Sequence, residues 1–478
     1  MTELRLTAPI SWLDGIDHRT GKIVQKDHPQ YGESLAGKVV YVPHSIGSTV
    51  GAYTFFALRK YGMAPAKIVL EEPDSITISA ELAGIPVEIK GAREVKLEIA
   101  EEVYEEFKRY LEKEASISDA RGFVKVSSVH ISGVSYATIG EYGKEWLANL
   151  KNKVNFRVVA TTNPLGMDLV RWREMGIPDK FARGQLDIVE SLLSMGALPS
   201  FTCTPYLSGN LPRYAEHISW GESSAVSYVN SAIGARTNRE GGTKTIAVAA
   251  VGYTPLYGMH LDENRNPSLE VVAPEIRDTI EYYELAYLVG QEHPNSIPIY
   301  TGLKEPNLPK LKALAAAGAS SGSIEMYHIP KVTPEAKTRA SKSISVNKKD
   351  LAGVREELST FDGGTDLVVL GCPHMSLQEF KELAILVKGR KALKTFWLYT
   401  SRTILSLVEG TSIWAAIRNF GAKVWADTCM VVSPLEEMGI KKVTTNSTKA
   451  AKYLRSLRGL DVELLSLREI IERYSRRE

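Results

Sequence analysis

Residues 38–70 read KVVYVPHSIGSTVGAYTFFALRKYGMAPAKIVL. Lys38–Val42 is a short apolar strand, and Pro43–Thr49 (PHSIGST) is a turn-rich loop. Val50–Tyr61 then has helical spacing, with Phe55, Phe56 and Leu58 available for a core. Gly62 and Pro65 close it, and Lys67–Leu70 (KIVL) is a second strand. Strand, glycine-containing loop, helix and strand in this order predict an α/β unit that turns a helix N-terminus toward a ligand.

The same alternation continues outward. Phe156–Thr161 (FRVVAT), Thr245–Val251 (TIAVAAV), Asp366–Leu370 (DLVVL), Lys394–Tyr399 (KTFWLY) and Lys442–Thr445 read as strands separated by helical segments. The fold class expected is α/β, in layers with parallel strands. At Lys90–Arg93 (KGAR) the character changes, and Glu94–Glu114 is highly charged, with Leu97, Val103, Phe107 and Leu111 on one helical face. This predicts a small domain over residues 1–92 and a larger, multi-layer α/β region over residues 93–478.

With 478 residues, 44% of them apolar and 24% charged, the chain has ample material for a core. A net charge of +2 leaves no electrostatic footprint for nucleic acid. The longest apolar stretches, such as Ile246–Gly252, are too short to span a bilayer, and the opening MTELRLTAPISW lacks the pattern of a secretory signal. Three cysteines exclude a disulfide framework and fit a reducing compartment, so the cytoplasm is the expected location.

Those cysteines are Cys203 (FTCTPY), Cys372 (LGCPHM) and Cys429 (DTCMVVSP). Their separations, 169 residues (203 to 372) and 57 (372 to 429), contain no CxxC and argue against structural zinc. Two readings stand: three buried small residues, or three thiolates brought together from strand ends to hold a cubane-type cluster with one iron open. Ser48 is either a helix N-cap or a group whose helix terminus stabilises an alkoxide or binds an anion. The loop matches neither a Walker motif nor GxGxxG. Ser132–Ser135 and Thr162–Gly166 are turns that could cradle anions, and polar residues crowd Trp220–Arg265. His130, His217 and His374 are structural or are ligands or acids, and Lys449, at a helix start, defaults to a solvated lysine.

Taken together, ISGVSYATIGEYG, TTNPLGMDLVRWREMGIP, the long stretch from FTCTPYLSGN to ARTNREGG, YGMHLDENR, GCPHMSLQEF, LYTSR, ADTCMVV and TTNSTKAA resemble the large subunit of the aconitase X family. PISWLDGIDHRTGKIVQKDHPQYGESLAGKVV, GSTVGAY and APAKIVLEE resemble its small, swivelling β/α subunit. The resemblance covers nearly the whole chain. It implies a small swivelling β/α domain fused to an aconitase-like catalytic region, so that no separate small subunit is needed. It also implies a hydro-lyase acting on a small-molecule hydroxy acid. An iron–sulfur cluster would be held by Cys203, Cys372 and Cys429, as 4Fe–4S foremost, with 3Fe–4S, 2Fe–2S or mononuclear iron also open. Ser48 would be the proton acceptor, and Gly133, Val134, Ser135, Asn163, Pro164, Glu222, Ser223 and Lys449 would contact substrate. The large-domain wording points to the phosphomevalonate dehydratase branch, converting (R)-5-phosphomevalonate to anhydromevalonate phosphate in the mevalonate route to isoprenoids. The fusion points to the cis-3-hydroxy-L-proline dehydratase branch. A third expectation is a non-catalytic Fe–S or small-acid-binding protein on this scaffold. It is motivated by Ile46, which stands where the family's GRGST loop carries arginine, and by a shortened start of the large region. KAAKYLRS also departs from the family's KAAHYAP.

Overall fold

The computed structural model describes residues 2–89, 94–99, 103–304, 306–336 and 340–478. The expected boundary between residues 92 and 93 lies outside the described residues.

Among the described residues, four parallel sheets of three or more strands follow one another along the chain. Glu3–Arg5, Val39–Val42, Lys67–Leu70 and Val87–Ile89 form the first, side by side in that order, with Val39 opposite Lys67 and Val42 opposite Leu70. The second places Ser128–Ile131 between Val159–Thr162 and Ser219–Trp220. In the third, Leu269–Val272 lies between Pro298–Thr301 and Lys342–Ser345. The fourth has five strands, ordered Lys423–Ala426, Thr395–Thr400, Leu367–Leu370, Lys442–Thr445 and Asp461–Leu464.

Strands Lys67–Leu70 and Lys442–Thr445 coincide with the sequence reading, and three readings need correction. Thr245–Val251 is not a strand: it belongs to the helix Gly242–Val251, every residue of which is buried. A helix buried all round shows no 3.6-residue period, so its apolar run cannot be told from a buried strand. The helix read over Glu94–Glu114 begins only at Glu105 and ends at Ile117. Glu94–Ile99 form neither helix nor strand, with the Val95 and Leu97 N–H groups donating to Ser116 Oγ and Glu112 Oε1 of that helix at 3.1 and 2.9 Å. The helix read over Val50–Tyr61 is a 3-10 turn, Thr49–Tyr53, continued by the α-helix Thr54–Lys60.

Leu4, Trp12, Phe55 and Val87 pack in one continuous core with Phe107, Ile131, Leu147 and Ile246. The small unit and the region after it therefore share their apolar interior. The five-stranded sheet is buried on both faces, and alternate residues serve two cores. Leu367, Val369, Trp397 and Tyr399 face one, while Val368, Leu370, Phe396 and Leu398 face the other. Among the described residues no helix is long and apolar enough to cross a membrane.

Candidate active site

In open α/β sheets, the loops beyond the carboxyl ends of parallel strands form the natural crevice for a ligand. Val39–Val42 leads to Ser48, Ser128–Ile131 to Gly133, Val159–Thr162 to Asn163, and Ser219–Trp220 to Glu222. Leu367–Leu370 leads to Cys372, Lys423–Ala426 to Cys429, and Lys442–Thr445 to Lys449. Cys203 arrives instead from a loop after the helix Asp179–Ser194.

Ser48, Asn163, Pro164, Cys203, Glu222, Ser223, Cys372, Cys429 and Lys449 line a single cavity of about 70 Å³. Gly133, Val134 and Ser135 are not on its wall. Gly133 has φ +74° and faces Tyr53, whose ring a Cβ at that position would strike at 2.4 Å. The Val134 carbonyl accepts from Gln185 Nε2 at 2.8 Å. Ser135 caps the helix Tyr136–Leu150 and donates from Oγ to the Val432 carbonyl at 2.9 Å, so it supports a wall residue from behind.

Thr49 and Val50, next to Ser48, and Leu13, Thr138, Val431, Val432, Tyr453 and Leu457 complete the wall, and the sequence reading gave none of the eight a site role. One signal was available. Lys449, Tyr453 and Leu457 recur at four-residue spacing on the helix Thr448–Arg458, which puts them on one face.

All three cysteines are free and buried. Burial and the nearby Glu222 carboxylate push the Cys203 thiol up to about 12 against the pull of Lys449. Cys372 is lowered, first because it accepts a hydrogen bond from Cys429, and Cys429 is raised by the same bond and by burial. Gly371 sets up the Cys372 loop: its φ is +103°, and a Cβ there would lie 2.2 Å from the Tyr399 carbonyl oxygen.

His374 fastens the three cysteine loops together. Its backbone N–H donates to Cys203 Sγ at 3.2 Å, and its Nε2–H donates to the Thr428 carbonyl at 2.7 Å. Nδ1 accepts from Thr202 Oγ1 at 3.0 Å. Burial lowers the ring's pKa to about 4 and keeps it neutral, so it is a structural crosslink rather than an acid. Beneath the Cys429 loop, buried Asp168 accepts from the Ala426 N–H at 3.0 Å and from Arg402 at 2.8 Å, and Arg402 also pairs with Asp427.

Opposite the thiols, Lys449 Nζ lies 2.5 Å from Glu222 Oε1 and donates to Ser224 Oγ at 2.9 Å. Asn163 Nδ2 donates to Glu222 Oε2 at 2.8 Å, which leaves Asn163 Oδ1 to accept from His130 Nε2 at 2.8 Å. Burial opposes ionisation of Glu222, but Lys449, Ser224 and Asn163 outweigh it and hold the carboxyl down to about 2. Lys449 is not the solvated lysine of the default reading. Its side chain is 12% exposed, and Glu222 together with the Cys372 and Cys203 sulfurs overcomes burial to raise its pKa.

Ser48 is the N-cap of the 3-10 turn and accepts from the Val50 N–H at 3.3 Å. The next residue ties the small unit to the large one: Thr49 Oγ1 contacts Ser132 Oγ at 3.1 Å and donates to the Gly221 carbonyl. In the polar stretch Trp220–Arg265, much is structural. Arg236 and Arg265 share Glu335 at 2.8 and 2.9 Å, and half-buried His217 meets buried His260 at 3.0 Å, away from the cavity.

Family models for the aconitase X swivel domain (residues 3–110), first domain (98–263), second domain (263–356) and third domain (365–476) match in succession. The chain belongs to the aconitase X family. The phosphomevalonate dehydratase large subunit of Methanothermobacter thermautotrophicus is 44% identical over 350 residues, 72% of this chain and 88% of that one. Cis-3-hydroxy-L-proline dehydratase of Pseudomonas aeruginosa is 30% identical over 536 residues, 97% of this chain and 92% of that one. A phosphomevalonate dehydratase small subunit from Pyrococcus abyssi matches 80 residues at 44% identity, 16% of this chain and 62% of its own length. The crystal structure of Thermococcus kodakaraensis aconitase X (holo-form) superposes with a TM-score of 0.72 at 36% identity, over 77% of this chain and 94% of that one. Its named relatives are dehydratases, and the chain is a hydro-lyase.

Proposed function

We propose that this protein dehydrates (R)-5-phosphomevalonate to anhydromevalonate phosphate in the mevalonate route, with Ser48 taking the proton and Cys203, Cys372 and Cys429 holding an iron–sulfur cluster. The observation that carries this reading is that Ser48 from the small unit and all three thiols from the large region line one cavity, beside the Lys449–Glu222 pair. On the same grounds we take residues 1–92 as the swivelling domain and the cytoplasm as its location.

The donor set fits the group. Three free, buried thiols open on a common space, and Lys449 beside two of them compensates the negative charge that thiolate ligands carry. Among the described residues, no three His, Cys, Asp or Glu side chains are placed to hold a metal ion as they stand. Three thiols that open on one cavity, two of them hydrogen-bonded to each other, suit a cubane-type cluster with one iron open, 4Fe–4S foremost. When bound, the cluster supplies a Lewis acid for the departing hydroxyl.

The chain's own residues supply the rest. The carbon to be deprotonated lies beside the substrate carboxylate, so its proton is only weakly acidic. Ser48 Oγ already accepts a backbone N–H at a helix start, where negative charge is stabilised. Asn163, Ser223 and Lys449 offer donors for the substrate's oxygens, and Leu13, Val431, Val432 and Leu457 exclude water. The proton passes to Ser48 as the C–H pair forms the new double bond and hydroxide leaves the adjacent carbon.

One observation favours cis-3-hydroxy-L-proline instead. Lys449 is the sole cation on the cavity wall among the described residues, and Glu222 already neutralises it, while a phosphate group asks for an uncommitted cation. Anaerobically purified protein should be offered both compounds, with loss of water followed by mass spectrometry. Turnover of phosphomevalonate that disappears in Ser48→Ala is the expected result. Turnover of hydroxyproline alone would replace the substrate, and turnover of neither by an iron- and sulfide-containing protein would return the chain to the non-catalytic reading.

A further inference from the structure

Arg239 is the cation that the proposed mechanism leaves unused. It is 7% exposed, Nε has no hydrogen-bond partner, and among the described residues no carboxylate lies within ion-pairing distance of it. Buried arginines are ordinarily paired, so one without a carboxylate is placed against an energetic preference. Its backbone is held from two sides: residue 239 bridges to Trp220, two residues before Glu222, and its carbonyl accepts from Ser75 Oγ of the small unit at 3.1 Å. From there Nη1 donates to the Gly47 carbonyl, one peptide before Ser48.

The loop is shaped to receive that bond. Gly47 has φ +84°, and a Cβ would meet Ser11 Oγ at 2.7 Å, so glycine is required at the turn that presents this carbonyl. Immediately before Gly47 stands Ile46, which carries no charge. We propose that Arg239 is a positioning residue for Ser48: by holding the Gly47 carbonyl it fixes the serine hydroxyl at the cavity and supplies, from the large region, the positive charge that a deprotonated Ser48 needs. This rests on the reading of Ser48 as the base.

The other charges nearby leave that task to Arg239. On the cavity side Lys449 is cancelled by Glu222, and Tyr453 is kept neutral by burial. On the far side of the loop, burial pushes Glu325 up to about 7 against the pull of Arg239, and Asp74 is engaged in accepting from the Ser45 and Ile76 N–H groups at 2.8 and 3.0 Å. Asp14 accepts from Ser11 Oγ.

The test uses the full chain, purified anaerobically, and the substrate that wild type turns over. Arg239→Gln should lower kcat by about 100-fold, the order found when one preorganised charge-stabilising donor is removed. KM should stay within about threefold and melting should be close to wild type, because the bond acts on the base rather than on substrate binding. Arg239→Lys should restore part of the loss, and Ile46→Arg in the Arg239→Gln background should recover at least about tenfold by returning a cation to the same loop. A merely structural Arg239 would not be rescued from position 46, so failure of both rescues overturns the inference. A loss confined to KM also overturns it, because Arg239 would then hold substrate. Near-wild-type kcat in Arg239→Gln, with Ser48→Ala inactive, removes Arg239 alone. Activity retained in Ser48→Ala removes the base itself and this inference with it.

Discussion

The cavity has two walls built on different principles. The cysteine wall is fastened by buried, multiply bonded residues: His374 joins three loops, and Asp168 with Arg402 underpins the strand end that leads to Cys429. The serine wall is a buried 3-10 turn whose polar contacts are few, chiefly Thr49 to Ser132 and Gly221 and Arg239 to Gly47. A group with several ligands tolerates little displacement, whereas a base contributed by a second unit can approach and withdraw with it. Polar crosslinks are concentrated where three chain segments must agree, while the serine-bearing turn has fewer of them and rests on the apolar interior that it shares with the large region.

The sharpest way to break this comparison is to cut the pair that spans the middle. Glu222→Ala leaves Lys449 partly buried with no carboxylate, and unfolding free energy should fall by about 3–5 kcal/mol, measured by chemical denaturation. A pH series refines it. The folded pKa of Glu222 is depressed from 4.5 to about 2, so its stabilisation is fully present above 4.5 and lost as pH falls through the folded value. Wild type and Glu222→Gln should therefore differ by a constant amount above about pH 5 and converge toward pH 2. A constant difference down to pH 2 would show that the pair is not the source.

Next in size is His374→Ala. It removes the two ring hydrogen bonds, to Thr202 Oγ1 and the Thr428 carbonyl, while the backbone N–H bond to Cys203 Sγ stays; it should cost about 2–3 kcal/mol and make Cys203 and Cys429 more reactive toward a thiol reagent in the cluster-free protein. Unchanged thiol reactivity would mean that the loops hold themselves. The smallest effect belongs to the wall with fewer polar bonds. Thr49→Val should lower stability by about 1 kcal/mol, with a much smaller change in thiol reactivity than His374→Ala. If Thr49→Val instead exposes the thiols as strongly, the two walls are one cooperative structure and the contrast fails.

How far the site was legible depended on whether the signal was local. Lys67–Leu70 and Lys442–Thr445 were readable because a short apolar run between turn residues suits little else. The Ser48 cap was readable for the same reason: a serine before an apolar helical run has one natural position. The buried helix Gly242–Val251 was not, because it lacks a polar face. The convergence of Cys203, Cys372 and Cys429 is written in no spacing: two come from strand ends of one sheet and one from a loop after a helix, and the family resemblance was needed to choose it over three separate buried residues. The Arg239–Gly47 contact joins segments 192 residues apart and left no local trace.

The shared apolar interior of the small unit and its neighbour has a consequence for assembly. Trp12, Phe55 and Val87 find their partners, Phe107, Ile131 and Ile246, in the same molecule. In relatives named as separate large and small subunits, the corresponding union is bimolecular, and dilution would weaken it. Here the tether makes it intramolecular, so the fraction of closed, complete sites is independent of how much protein the cell holds, and neither half can be in excess over the other.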